Sequence, residues 1–363
     1  MKELLRKRIK EMTGLIGVSG QEWDVARYIK RELIEYVDDI KVLNNGIVIA
    51  HIKGEKTGPK IMVTAHLDEV GFMIKSIDSK GFLFFDKLGG ATEACIPGRK
   101  VLVKGTKGVI PGVIGVRAGH LLTPEERSKP QTVQQSYIDI CVSSKAEAEA
   151  LGICVGSQAV PDSPCTEMHD TDYLITRAAD CRALCAVIVE TFKKLSKKDI
   201  SGDIYGVFNI LEETSTNAIG AAVNCIKPEY GLYLDTIPCG DVPDCNFEKE
   251  LPVALKEGPV IILQHNSINT NLCVGSHPAL IDALREISLA KNIKHQEIAL
   301  NGAGYATDAV TGISAGEGMA VAVLACPRRY SHSPSEIIHL DDIAATQALV
   351  EEFLKNPVDI NII

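Results

Sequence analysis

The chain has 363 residues, 45% of them hydrophobic and 23% charged, and a formal net charge of −9. That length and composition suit about two globular domains, and an acidic chain without a basic, aromatic-interleaved patch argues against nucleic acid as a partner. No apolar run approaches the ~20 residues of a membrane span, and the charged start MKELLRKRIKEM does not resemble a secretory signal.

Two amphipathic helices are predicted at about 2–15 and 21–37, then strands near 39–43 and 47–52 with Asn45-Gly46 as the turn between them. A strand at 60–66 follows. From about 71 to 165 short β-like runs dominate (FMIKSI, FLFFD, KVLVKG, GVIPGVIGV, SYIDICV), punctuated by glycine and proline as in an all-β barrel or sandwich. GTKGVIPGVIG lacks the spacing of a phosphate loop and reads as β-turn chemistry. SKAEAEAL reads as a short helix with a serine cap. After about 166 helices are expected near 181–195, 217–226, 277–291 and from 341. Strands are expected at 203–211, 230–235, 259–264, 296–300 and 319–326. Alternating strands and helices imply an α/β fold, a mixed β-sheet layered by helices. The expected organisation is an α/β domain at 1–70 and 166–363, with a β-rich, barrel-like insertion at 71–165.

The eleven cysteines are odd in number and irregularly spaced, which fits free thiols in a reducing, cytoplasmic compartment. Cys181 and Cys185 are one helical turn apart, but no second pair answers them, and core packing is the favoured reading over a shared metal.

The chemistry begins in KIMVTAHLDEVG. His66 and Asp68 end an apolar run, and the period of two along a strand points them the same way. The carboxyl end of a buried strand is where open α/β sheets bind ligands. A carboxylate beside a metal-binding histidine can hold its ring and fix its tautomer. Taken alone, the pair is more often a hydrogen-bonded entry to a loop. Further candidates stand just past apolar runs or before helices. Asp180 ends TRAAD, Glu212 and Glu213 end DIYGVFNILEE, Asp235 ends YGLYLD, and His332 follows AVAVLAC. Each has a plain alternative: a helix N-cap for Asp180, solvated acids opening a helix for the glutamates, a turn cap for Asp235, a loop histidine for His332. Together they fall at one predicted sheet edge. Five carboxylates converging there would raise one another's pKa unless cations neutralise them, and mixed His/Asp/Glu donors suit zinc, with cobalt or manganese possible.

These segments resemble the glutamyl aminopeptidase family, which includes tetrahedral, dodecameric aminopeptidases among the di-metal exopeptidases. The resemblance runs through nearly the whole chain, in MTGLIGVSGQE, TAHLDEVGFMI, IPGRKV, GVIG, YIDI, KAEAEALGI, RAADCRA, LEE, LYLD, EGPVI and RRYSHSPSEII. It implies that His66 and Asp235 ligate one metal, Glu213 and His332 the other, and Asp180 bridges them. Glu212 is the implied general base and Asp68 the group orienting His66. The implied activity removes N-terminal residues from short peptides with a free N-terminus, using a water between two divalent metal ions per subunit. The implied assembly is a homo-oligomer, built of dimers and up to a dodecamer, and the Asp180–Cys181 bond is expected to be cis, as it tends to be in related enzymes. Three departures stand out. Cys181 follows Asp180 where the family has a second aspartate, Ala183-Leu184 replace a glycine-containing pattern, and TSTNAIGAA lengthens the turn after the glutamate pair. They leave every implied ligand in place and bear on the substrate pocket and the oligomer.

Two other functions compete. A di-metal amidohydrolase on N-acyl amino acids would use the same metals. A catalytically silent oligomeric metal-binding protein is disfavoured by the complete ligand set plus Glu212. No cysteine stands in a nucleophile context, and nothing suggests the sugar-stacking platform of a glycosidase.

Overall fold

The computed structural model describes residues 1–129, 131–267, 272–301 and 304–361. Among them, a nine-stranded mixed sheet forms the larger layer. Its centre is four mutually parallel strands in the order Ser201–Asn209, Lys56–His66, Tyr230–Pro238 and Ala320–Arg328. The antiparallel pair Asp39–Val42 and Val48–Lys53 extends one side, its turn carried by Gly46 at φ +107°. Val260–Ser267, Leu272–Gly275 and Gln296–Asn301 extend the other. The central strands are apolar on both faces because helices cover both, which is why they read as continuous hydrophobic runs. Lys2–Thr13 packs Leu5, Ile9 and Met12 inward, and Ala179–Lys194 and Leu340–Lys355 complete that side.

Residues 71–161 form a closed six-strand barrel, Gly71–Ile77, Leu83–Leu88, Ile138–Asp139, Gly108–Ile114, Lys100–Gly105 and Gln158–Pro161 in order around it. It has its own interior of Phe72, Ile74, Leu83, Phe85, Val101, Val103 and Ile138. Within GTKGVIPGVIG only Thr106-Lys107 form a turn, linking two barrel strands, and Gly108–Ile114 is itself a strand. Ser144 caps Lys145–Ala150 by accepting from Glu147 N at 3.2 Å. Closure removes the edges that an open antiparallel sheet would leave for aggregation.

The mixed α/β architecture with a barrel agrees with the sequence reading, and element bounds differ by a few residues. The larger difference is local. The strand expected at 203–211 stops at Asn209, and Glu212 and Glu213 lie in an irregular turn that follows Leu211 at φ +61°. A small sheet of Thr166–Glu167, Tyr173–Thr176 and Glu336–His339 was not anticipated. It brings Glu336 beside Asp180.

Candidate metal centre

The parallel strands end on one edge, and that edge carries the polar cluster. His66 ends its strand, directly across from Asn209. Asp235 lies on the neighbouring strand, Glu212 and Glu213 follow Asn209, and His332 follows Arg328. Asp180 sits at the start of the helix Ala179–Lys194 but does not act as a simple cap. Its dihedrals are non-helical, and the Asp180–Cys181 peptide is cis, as the resemblance implied. Ala178, Leu211 and His332 all adopt positive φ, a conformation L-residues hold mainly where the surroundings over-determine it.

Asp68 organises the near side. It is fully buried, its carboxylate 3.4 Å from His66 Nδ1. It also accepts the backbone N–H groups of Glu212 and Glu213, each at 3.1 Å, and the Ser19 hydroxyl at 2.6 Å. His66 Nδ1 also faces the Asp68 carbonyl at 3.2 Å, so Nε2 is left for the site, 3.0 Å from Asp180 Oδ1 and 3.8 Å from Glu212 Oε2. On the far side, His332 Nε2 lies 3.3 Å from both Asp180 Oδ2 and Glu213 Oε2. Asp180 therefore stands between two groups: His66, Asp180, Cys181 and Asp235, and Asp180, Glu213 and His332. The two glutamates divide from within their irregular turn, Glu212 toward His66 and Glu213 toward His332.

The electrostatics are those of a site short of positive charge. Burial raises Glu213 and Asp235 to about 8 each, and Asp180 adds to both. Burial also drives Glu212 well above the carboxylate range, with Asp235, Asp308 and Glu213 adding. Burial opposes ionisation of Asp180 too, yet Arg328, His332 and His66 hold it well below its usual value. His332 is raised to about 9 in spite of its burial, chiefly by Glu213 and Asp180. Glu213 Oε1 is buried with no hydrogen-bond partner. An orphaned, crowded carboxylate of this kind fits divalent cations, which would replace the missing charge.

All seven residues singled out from sequence lie in this cluster. Four more were not foreseen as part of it. Cys181 was read as a departure in the core. Arg328 is buried, its guanidinium bonded to Asp180 Oδ2 at 2.7 Å and to Glu336. Asp308 receives Asn209 Nδ2 at 2.6 Å behind the carboxylates. Tyr305 donates to the Thr236 carbonyl at 3.1 Å. Both Cys181 and Cys185 are buried, Cys181 Sγ donating to the Leu234 carbonyl at 3.5 Å and Cys185 Sγ to the His66 carbonyl at 3.1 Å. The acids open onto a cavity of about 340 Å³ walled by Pro238, Leu251, Leu300, Tyr305 and Ala306.

Residues 46–349 match the model of the M42 glutamyl aminopeptidase family. The chain belongs to that family. The lysyl aminopeptidase of Pyrococcus furiosus is 30% identical over 365 residues, 98% of this chain and 98% of its own. An aminopeptidase from the archaeon Desulfurococcus kamchatkensis superimposes with a TM-score of 0.91 at 29% identity, over 98% of this chain and 96% of that one. The TET1 peptidase of Pyrococcus horikoshii, which assembles into a tetrahedron or a large octahedral shell, gives 0.84 at 28% identity, over 96% and 99%. The M42 chain described here is thus an enzyme, a metal-dependent aminopeptidase.

Proposed function

We propose that this M42 aminopeptidase is a di-metal exopeptidase that removes N-terminal residues from short peptides. The observation that carries the reading is the placement of Asp180 between His66 and Asp235 on one side and Glu213 and His332 on the other. His66 and Asp235 would hold one ion, Glu213 and His332 the other, with Asp180 shared. Zinc fits these donors best, with cobalt or manganese as alternatives. Such ions, when bound, lower the pKa of a water held between them and polarise the scissile carbonyl. Glu212 faces that space without being needed as a ligand, and its role is to take the water's proton and return it to the leaving amine. Asp68 holds His66 and the backbone of both glutamates in register.

Residues 1–70 and 166–363 form the catalytic domain in this reading, and the barrel insertion at 71–165 builds the homo-oligomer, of dimers up to a dodecamer. Exposed Val109, Val113, Val116 and Leu121 on the insertion support that role. No described helix is long and apolar enough to cross a membrane, and all eleven cysteines are unpaired, which supports a cytoplasmic setting. The test is Glu212→Gln. It should retain metal and fold and lose turnover by on the order of 10²–10⁴-fold; turnover near wild type would remove Glu212 from the role.

A further inference from the structure

The two halves of the centre are not equivalent. On the His66 side, Asp180 Oδ1 faces His66 Nε2 at 3.0 Å, and the other donors of that group are Asp235 and Cys181. On the His332 side, Asp180 Oδ2 is 3.3 Å from His332 Nε2 but only 2.7 Å from Arg328 Nη2. The oxygen that the Glu213–His332 group would share with an ion is therefore already bonded to a permanent cation.

Arg328 is well fixed there. It ends the buried strand Ala320–Arg328 and is only 2% exposed. Its other terminal nitrogen donates to Glu336 Oε1, and Glu336 in turn accepts the backbone N–H of His332 at 3.0 Å and of Asp180 at 3.3 Å. Glu336 thus tethers the guanidinium from behind, and the positive charge is presented to Asp180. A guanidinium stays charged at any pH the protein survives. Two cations on one carboxylate oxygen in a water-poor pocket repel strongly, and hydrogen bonding to the guanidinium draws electron density from the oxygen as a ligand.

We infer that Arg328 makes the centre asymmetric: the His66–Asp235 position fills first and tightly, and the Glu213–His332 position fills second and at least tenfold more weakly because it shares Asp180 with Arg328. The inference rests on the di-metal reading above. It makes Arg328 a positioning and charge-setting residue, distinct from the ligands.

Stepwise calorimetric titration of the metal-stripped protein with cobalt(II) alone tests it, with metal per chain measured after dialysis. The expected result is two resolved steps in the wild type. His332→Ala should remove the weak step and keep the strong one, and Arg328→Met should tighten the weak step by at least tenfold and by more than it changes the strong step. Where Arg328→Met leaves Glu336 too exposed a charge to fold, Arg328→Met with Glu336→Gln restores the balance and should give the same tightening. Equal affinities in the wild type, or a weak step left unchanged or loosened by removing Arg328, would overturn the role of Arg328 while leaving two metals in place. Absence of any metal binding by the wild type would overturn the di-metal reading itself.

Discussion

Asp68 and Glu212 are joined through the backbone: an Asp68 carboxylate oxygen accepts the Glu212 N–H at 3.1 Å while the same side chain lies against His66. One buried acid thus sets the orientation of a proposed ligand and the position of the proposed base. Asp68→Ala should weaken metal binding by about 10–100-fold, the usual cost of losing a group that orients a ligating histidine. Turnover should fall further than metal occupancy accounts for, because Glu212 loses its anchor. Metal titration beside kinetics at saturating metal checks this, and a variant whose activity is fully restored by excess metal would limit Asp68 to His66.

A turn of the barrel insertion lies against the site. A Cβ on Gly90 would stand 2.6 Å from His332 Nδ1, and Thr92 N donates to the His332 carbonyl at 3.2 Å. Gly90→Ala is expected to displace the ring and weaken the Glu213–His332 position by about tenfold or more, with far-ultraviolet circular dichroism unchanged. Unaltered metal affinity would show that the turn gives way instead of the histidine.

Protons and metal compete at this centre. In the metal-free protein burial pushes Glu213 and Asp235 up, and the carboxylates beside it push His332 up, so the cluster as a whole holds protons near neutral pH. Binding an ion displaces them. Apparent metal affinity should therefore rise as pH increases from 6 toward 9, and the calorimetric heat should vary with the ionisation enthalpy of the buffer. A heat independent of buffer would mean that the ligands are already deprotonated.

A structural ion pair far from the site gives a stability prediction. Burial alone would raise Glu32, yet Lys193 at 2.8 Å and Arg8 at 2.6 Å bring it down to about 2. A depressed carboxylate stabilises the fold above its unfolded pKa and loses that contribution as pH falls toward the folded value. Glu32→Gln should cost about 1–2 kcal/mol at pH 7, discounted for the partial exposure of the pair. The gap to wild type should close between pH 4.5 and 2. Urea denaturation of both proteins at pH 7 and pH 3 measures it, and an equal gap at both values would place the cost in packing.

The proposed ligands were legible because each acid or histidine stands beside an apolar run, and strand ends on a parallel sheet share one edge. Arg328 was not, although the alternation of a strand divides Arg328-Arg329: Arg328 turns inward to Asp180, and Arg329 pairs with Asp241 at 2.6 Å. The partner that makes Arg328 matter, Glu336, is held by a small sheet whose strands of two and four residues are too short for a periodicity signal. Asp308 was hidden for a similar reason. It precedes the four-residue helix Ala309–Gly312, and its contact with Asn209 spans 99 residues of sequence.

The central claim is metal-dependent cleavage behind a free N-terminus, and one assay addresses it. The metal-stripped protein, reconstituted with zinc, cobalt or manganese and with metal per chain measured, is offered aminoacyl-anilides and their N-acylated counterparts. The expected result is turnover that appears with metal and only on substrates with a free α-amine. Faster hydrolysis of the N-acyl compounds, or two bound ions with no hydrolysis of either set, would contradict it.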